Sequence, residues 1–136
     1  MMTDISIGHE GPAFEMGPLT RTDFVRYAGA SNDFNPIHHD DKFARSAGQP
    51  SVFGHGMLSA GLLGSYLTGW FGRDCVRRLQ VRFVERVWPG DVVRARGTVT
   101  DRDAATAEIE LVLEREDRTP LVKGVATVWI NHEELR

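Results

Sequence analysis

A single cysteine in 136 residues leaves this chain without an intramolecular disulfide and without the cysteine pairs from which a zinc ribbon is built. Cys75 therefore reads as a buried or indifferent thiol. Basic charge is scarce too: 16 Lys and Arg stand against 19 Asp and Glu, for a formal net charge of −3. No basic, aromatic-interleaved motif is present, which argues against nucleic acid as a partner. Met1 to Glu10 lacks both a basic start and an apolar core, so no secretory signal is expected and the protein is assigned to the cytoplasm. Nor is there an apolar run of membrane-spanning length. Residues 46–72 carry no Asp, Glu, Lys or Arg, but they hold seven glycines, Gln49, Pro50 and His55. Their apolar part, Met57 to Phe71, falls short of the ~20 residues that a bilayer crossing needs.

What is present fits one compact domain over residues 1–136. At 41% hydrophobic and 26% charged residues, the chain can bury a real core. No repeat, low-complexity tract or linker divides it. Thr20 before Asp23 has the form of a helix N-cap, and Phe24, Tyr27 and Ala28 share a face, which predicts a helix from about Arg21 to Ala30. Met57 to Phe71 predicts a long buried helix wrapped by the chain's own sheet. Each glycine there costs roughly 1 kcal/mol in helix propensity, so Gly61, Gly64 and Gly69, with Ser59, Ala60 and Ser65, are expected to let strand backbones come close.

Four strand-like runs follow. Between Val76 and Val87, Leu79, Val81 and Phe83 alternate with Arg78, Gln80, Arg82 and Arg86, the period of a half-buried strand. Trp88-Pro89-Gly90-Asp91 reads as a turn. Val93, Ala95, Gly97 and Val99 then alternate with Arg94, Arg96 and Thr98, and Ala107, Ile109, Leu111 and Leu113 with Glu108, Glu110 and Glu114. Leu121 to Ile130 closes the meander. Seven arginines against three acids between Arg73 and Arg96 make a local basic patch in an acidic chain. Arg94 and Arg96 are expected to face Glu108 and Glu110 across neighbouring strands. Arg78, Arg82 and Arg86 share a face without obvious partners, which leaves open a role with the phosphates of a nucleotide.

The densest chemistry lies in Tyr27-Ala28-Gly29-Ala30-Ser31-Asn32-Asp33-Phe34-Asn35-Pro36-Ile37-His38. Pro36 fixes its own φ and biases Asn35 toward an extended conformation, so the chain leaves the preceding helix and swings back. Asp33 and His38 can then face each other as a general acid/base pair. Further on, Phe53-Gly54-His55-Gly56-Met57 opens the long helix with a Gly-His-Gly turn whose first N–H groups are free. A proton-transfer pair and an anion-stabilising helix end are the two components needed for chemistry beside a carbonyl.

These runs, Y-A-G-A-S-N-D-F-N-P-I-H, then Ala44, then G-H-G-M, resemble the signature of the (R)-specific enoyl-CoA hydratases, the MaoC-like branch of the hot-dog fold, over roughly Gly17 to Asn131. Position 32 often holds Gly in that pattern and is Asn here, a residue that tolerates positive φ better than most. The resemblance implies Asp33 and His38 as the catalytic pair and the Gly56 N–H as oxyanion donor. It also implies an α+β hot-dog domain, an antiparallel sheet around the long helix, paired as a homodimer with the acyl chain along the interface. The expected reaction is reversible hydration of a trans-2-enoyl thioester, on coenzyme A or a carrier protein, to the (R)-3-hydroxyacyl thioester. No metal or redox cofactor is called for, and coenzyme A enters as part of the substrate.

Blander readings stand beside these. Asp33 could merely cap a turn and His38 could be a surface histidine; the combination with Asn35-Pro36 and the downstream helix start favours chemistry. Asn35 is expected to pin the loop through side-chain to backbone hydrogen bonds, His39 and Asp40 to be solvated, and His55 only to shape the turn. A metal site from His38, His39 and His55 lacks any recognisable ligand spacing, and Ser59 and Ser65 lack a G-x-S-x-G elbow. Two alternatives to the hydratase remain: a hot-dog acyl-CoA thioesterase, and one subunit of a heteromeric 3-hydroxyacyl-thioester dehydratase.

Overall fold

The computed structural model describes residues 5–130. Residues 1–4 and 131–136 lie outside the described residues, and with them the start of the Met1 to Glu10 stretch and Asn131. The chain runs β1 (Phe14–Met16), α1 (Arg21–Ser31), a 3₁₀ turn (Pro36–His38), α2 (Asp41–Ser46), α3 (Gly56–Phe71), β2 (Val76–Phe83), β3 (Val93–Arg102), β4 (Thr106–Arg115) and β5 (Pro120–Trp129). The strands form one antiparallel sheet in the order β1-β3-β4-β5-β2, and α3 packs against β2, β3, β4 and β5. This is the hot-dog arrangement. No helix among the described residues is long and apolar enough to cross a membrane.

Alternating hydrophobicity lays the sheet onto the helix. Val93, Ala95, Gly97 and Val99 of β3 and Ala107, Ile109, Leu111 and Leu113 of β4 point inward, where they meet Leu62, Leu63, Tyr66, Leu67 and Trp70 of α3. Cys75 is buried in the same core. The Thr20 hydroxyl accepts from the Asp23 N–H at 3.2 Å while the Asp23 carboxylate accepts from the Thr20 N–H at 2.8 Å, a capping box that starts α1.

Several expectations change. The glycines of α3 do not admit the strands: a Cβ on Gly61, Gly64 or Gly69 would meet nothing within 4 Å, because they lie on the side of the helix turned away from the sheet. Close approach is supplied instead by the sheet, where a Cβ on Gly97 would stand 2.9 Å from the Tyr66 ring. β2 ends at Phe83 and not at Val87, because the Val84 and Glu85 N–H groups both turn to the Leu121 carbonyl, at 2.8 and 3.2 Å. Arg86 therefore leaves the row of Arg78 and Arg82. The later strands are not a simple meander either: β2 pairs with β5, and residues 84–92 cross to the far side of the sheet to begin β3.

The arginine pairing differs from the expected one as well. Register places Arg94 opposite Glu114 and Glu108 opposite Asp101. Arg94 pairs with Glu15 at 2.8 Å, Arg96 makes a two-pronged contact with the buried Glu114 at 2.9 and 3.0 Å, and Glu108 accepts from the Thr127 hydroxyl. Alternation tells which face a residue takes but not which residue lies opposite, and that depends on where the hairpin turns.

Short α2 follows the 3₁₀ turn. Asp40, expected to be merely solvated, caps it by accepting from the Phe43 N–H at 3.1 Å. The Asp41 carboxylate accepts from the Val52 N–H at 3.1 Å and pairs with Arg21 at 3.0 Å, and these two contacts, the first above all, hold its carboxyl below the usual aspartate range. One side chain thus links α1, α2 and the segment that enters α3.

The two kinds of glycine should answer oppositely to alanine. Gly97→Ala is expected to destabilise the protein by about 1–3 kcal/mol through overpacking against Tyr66, and Gly69→Ala to leave it unchanged or raise stability by up to about 1 kcal/mol. Urea unfolding of the two variants checks the sign; destabilisation of similar size at both would contradict the orientation of α3.

Candidate active site

Short polar side chains build the bend after α1. The helix closes on Asn32 in the left-handed region, at φ 62°, a conformation that asparagine tolerates. The Ser31 hydroxyl donates to the Tyr27 carbonyl at 2.8 Å and accepts from the Asp33 N–H at 3.2 Å. Asp33 Oδ1 accepts from the Asn35 N–H at 3.3 Å, and Asn35 Oδ1 from the Ile37 N–H at 3.1 Å. Pro36 then begins the 3₁₀ turn that carries His38 back toward Asp33.

The two side chains meet across that bend, with Asp33 Oδ2 3.9 Å from His38 Nε2. This is too long for a direct hydrogen bond, yet one water oxygen at about 2.8 Å from each could touch both. The Asp33 side chain is half exposed and that of His38 is nearly buried. His38 Nδ1 lies 2.8 Å from the Phe53 carbonyl oxygen. A carbonyl only accepts, so Nδ1 carries a proton and, in the neutral ring, Nε2 presents a bare lone pair toward Asp33. His39 diverges, exposed and 3.4 Å from the Phe34 carbonyl.

His55 stands where sequence reasoning saw only a turn. It is 2% exposed, its ring stacks on that of His38 with centroids 3.8 Å apart and planes 26° from parallel, and it meets the Tyr27 ring edge-on with centroids 4.8 Å apart. Its Nε2–H donates to the Asp33 carbonyl at 3.1 Å. Nδ1 has no partner among the described residues, which costs roughly 1–3 kcal/mol for a buried polar atom. Burial is the main cause that lowers the His55 pKa, with His38 adding to it, and the bond to Asp33 opposes them. Nothing in the sequence signals this role, because it depends on two segments, 33–38 and 53–55, meeting in space.

His55 is also the N-cap of α3, and its side chain caps nothing. The Leu58 and Ser59 N–H groups return to its carbonyl, while those of Gly56 and Met57, in the first turn, have no partner within the helix. Phe83 covers Gly56 so closely that a Cβ there would stand 3.1 Å from its ring. A cleft of about 360 Å³ opens at this point, lined by Phe53, Gly56, Ser59, Phe83, Arg86 and Val122 among others; the Arg86 guanidinium rests on the Phe53 ring at 5.0 Å. Asp33 and His38 do not line it and connect to its rim through Phe53 and His55. A larger depression, about 650 Å³, lies on the outer face of the sheet over Arg82, Arg96 and Lys123, away from the acid/base pair. Size alone does not mark the site here. Asp33, His38 and His55 each bring a possible metal-ligating atom within 4.8 Å of the others; His39, the third histidine weighed from sequence, is not in that set.

A family model described as "MaoC like domain" matches residues 8–119. The chain is 34% identical over 84 residues to an "(R)-specific enoyl-CoA hydratase" of Rhodospirillum rubrum, a match covering 60% of this chain and 58% of that protein. It is 32% identical over 85 residues to a "Peroxisomal hydratase-dehydrogenase-epimerase" of Saccharomyces cerevisiae, covering 62% of this chain but only 9% of that protein. Among solved structures, an (R)-hydratase from A. caviae involved in PHA biosynthesis superposes with a TM-score of 0.83 at 25% identity, over 93% of this chain and 97% of that one.

The lowered His55 pKa sets the sign of a pH effect. The unfolded chain binds a proton at His55 more readily than the folded one, so this residue's stabilisation is complete above the ordinary histidine value of about 6.5 and is lost as pH falls below it. Unfolding of wild type and His55→Phe from pH 7.5 to 5 should show the smaller acid loss in the variant; equal slopes would contradict a neutral, buried His55.

Proposed function

The chain belongs to the MaoC-like domain family, and from that footing we propose that it catalyses the reversible hydration of trans-2-enoyl thioesters to (R)-3-hydroxyacyl thioesters. The observation that carries this reading is the 3.9 Å gap between Asp33 Oδ2 and His38 Nε2, with Nδ1 committed to the Phe53 carbonyl. Both facing atoms are acceptors, so a water between them donates one hydrogen to each and keeps its lone pairs for attack on C3. One proton leaves the water as the C–O bond forms, and the pair returns one proton to C2 from the same side, which makes the addition syn.

Charge gathers meanwhile on the thioester oxygen. The Gly56 N–H, at a helix start carrying about half an elementary charge, donates to that enolate-like state. The reaction calls for no metal or redox group, because the thioester itself acidifies C2. Coenzyme A or a carrier protein enters as the substrate's thiol. A homodimer fits the same reading, since the outer edge of β2 and the glycine side of α3 are both uncovered in the single chain.

Asp33→Asn and His38→Gln should each lower kcat on crotonyl-CoA by ~10²–10⁴ with the fold retained. The double variant should be little worse than either, because groups acting as a unit do not add. Hydration in D₂O should give the syn adduct and the (R) product. A main product of (S) configuration, or near-wild-type rates in either variant, would remove the pair from the mechanism. Thiol release from saturated acyl-CoA would instead indicate a thioesterase. A mass measurement on the active purified chain separates homodimer from a subunit that needs a different partner.

A further inference from the structure

His55 touches every part of the proposed machinery without reaching a reacting atom. Its Nε2–H holds the main chain of Asp33 at 3.1 Å, its ring lies flat on His38 at 3.8 Å, and its own peptide leads directly into Gly56 at the start of α3. We propose that His55 is the positioning residue that sets the acid/base pair at a fixed place relative to the Gly56 N–H. This rests on the hydratase reading, since it names how the parts of that site are held together.

A role in proton transfer does not suit it. The Nε2 proton is engaged with a carbonyl, and Nδ1 is buried and unpartnered, so no relay leads from the ring to substrate. A plain packing role does not suit it either. Phenylalanine would fill the space without burying a bare nitrogen, which makes histidine an expensive choice for the core. Histidine combines at this point a flat ring to stack on His38 and a donor at its tip for the Asp33 carbonyl, which neither phenylalanine nor glutamine does. Small displacements of reacting groups have large effects on rate, so a clamp of this kind acts on kcat.

The test uses three variants of the full chain. His55→Phe keeps the ring and loses the donor, His55→Gln keeps a donor and loses the ring, and His55→Ala loses both. On crotonyl-CoA, His55→Ala should lose on the order of 10²-fold in kcat with KM within about threefold, while the other two fall between it and wild type. The thermal midpoint of His55→Phe at neutral pH should equal or exceed that of wild type. Wild-type kcat in His55→Ala, or a parallel loss of midpoint and activity in all three, would overturn the proposal. A second measurement stands apart from catalysis: the His38 ring protons should be shifted upfield by the neighbouring ring in wild type and His55→Phe, and released in His55→Gln and His55→Ala. If wild type shows no hydration, the functional reading fails, and these shifts alone decide whether the clamp exists; identical shifts in all four proteins would refute it.

Discussion

Two imidazoles, each donating to a main-chain carbonyl of the other's segment, hold this site together. His38 reaches from the bend to the Phe53 carbonyl, and His55 reaches back from the helix start to the Asp33 carbonyl. Either bond alone would leave the bend free to pivot. Together, with the rings stacked between them, they cross-link segments 33–38 and 53–55 at two points. The tautomer of His38, the face that Asp33 presents and the direction of the first α3 N–H groups all follow from this arrangement. Second-layer hydrogen bonds of this kind commonly determine the orientation of reactive side chains.

Support for that junction comes from further out. α3 is anchored by one side only, through Tyr66 and Trp70 against the glycine step in β3, so its N-terminus is carried on a buried, closely packed body. The Asp41 carboxylate, bonded to Arg21 and to the Val52 N–H, fixes how α1 and α2 sit against the segment entering α3. The Asp33–His38 bend is irregular chain, but both its ends are tied to elements whose positions the core decides. Such a division, a loop set on a rigid scaffold, is common where loops bear functional residues.

Much of this was legible from residue order, and the parts that were not share a cause. Period-two alternation revealed β3 and β4, the Thr20–Asp23 pair revealed the start of α1, and Asn35-Pro36 revealed the bend, because each is a local rule acting within a few residues. The bringing together of Asp33 and His38 could be read for the same reason. Register could not: Arg94 and Arg96 find Glu15 and Glu114 because of where one hairpin turns. The orientation of α3 was misread from composition, since glycines on a helix can serve either an intimate contact or an open side. β1, only three residues long, and the contacts of His55 with Asp33 and His38 were invisible, because both exist only through partners far away in the chain.

The strand order has a consequence for how the molecule assembles. β3, β4 and β5 are joined by short turns and can pair as neighbours, whereas β2 must wait for β5, and β1 for β3. The Glu15–Arg94 contact closes a separation of 79 residues. Loop-closure entropy must be met before such distant contacts return anything, so the two margins of the sheet carry the costlier closures and the β3-β4-β5 middle the cheaper ones. The Gly54-His55-Gly56 junction meets the 33–38 bend through contacts that close separations of 15 and 22 residues. Asp33 and His38 are close neighbours in sequence, but the geometry between them depends on these longer closures.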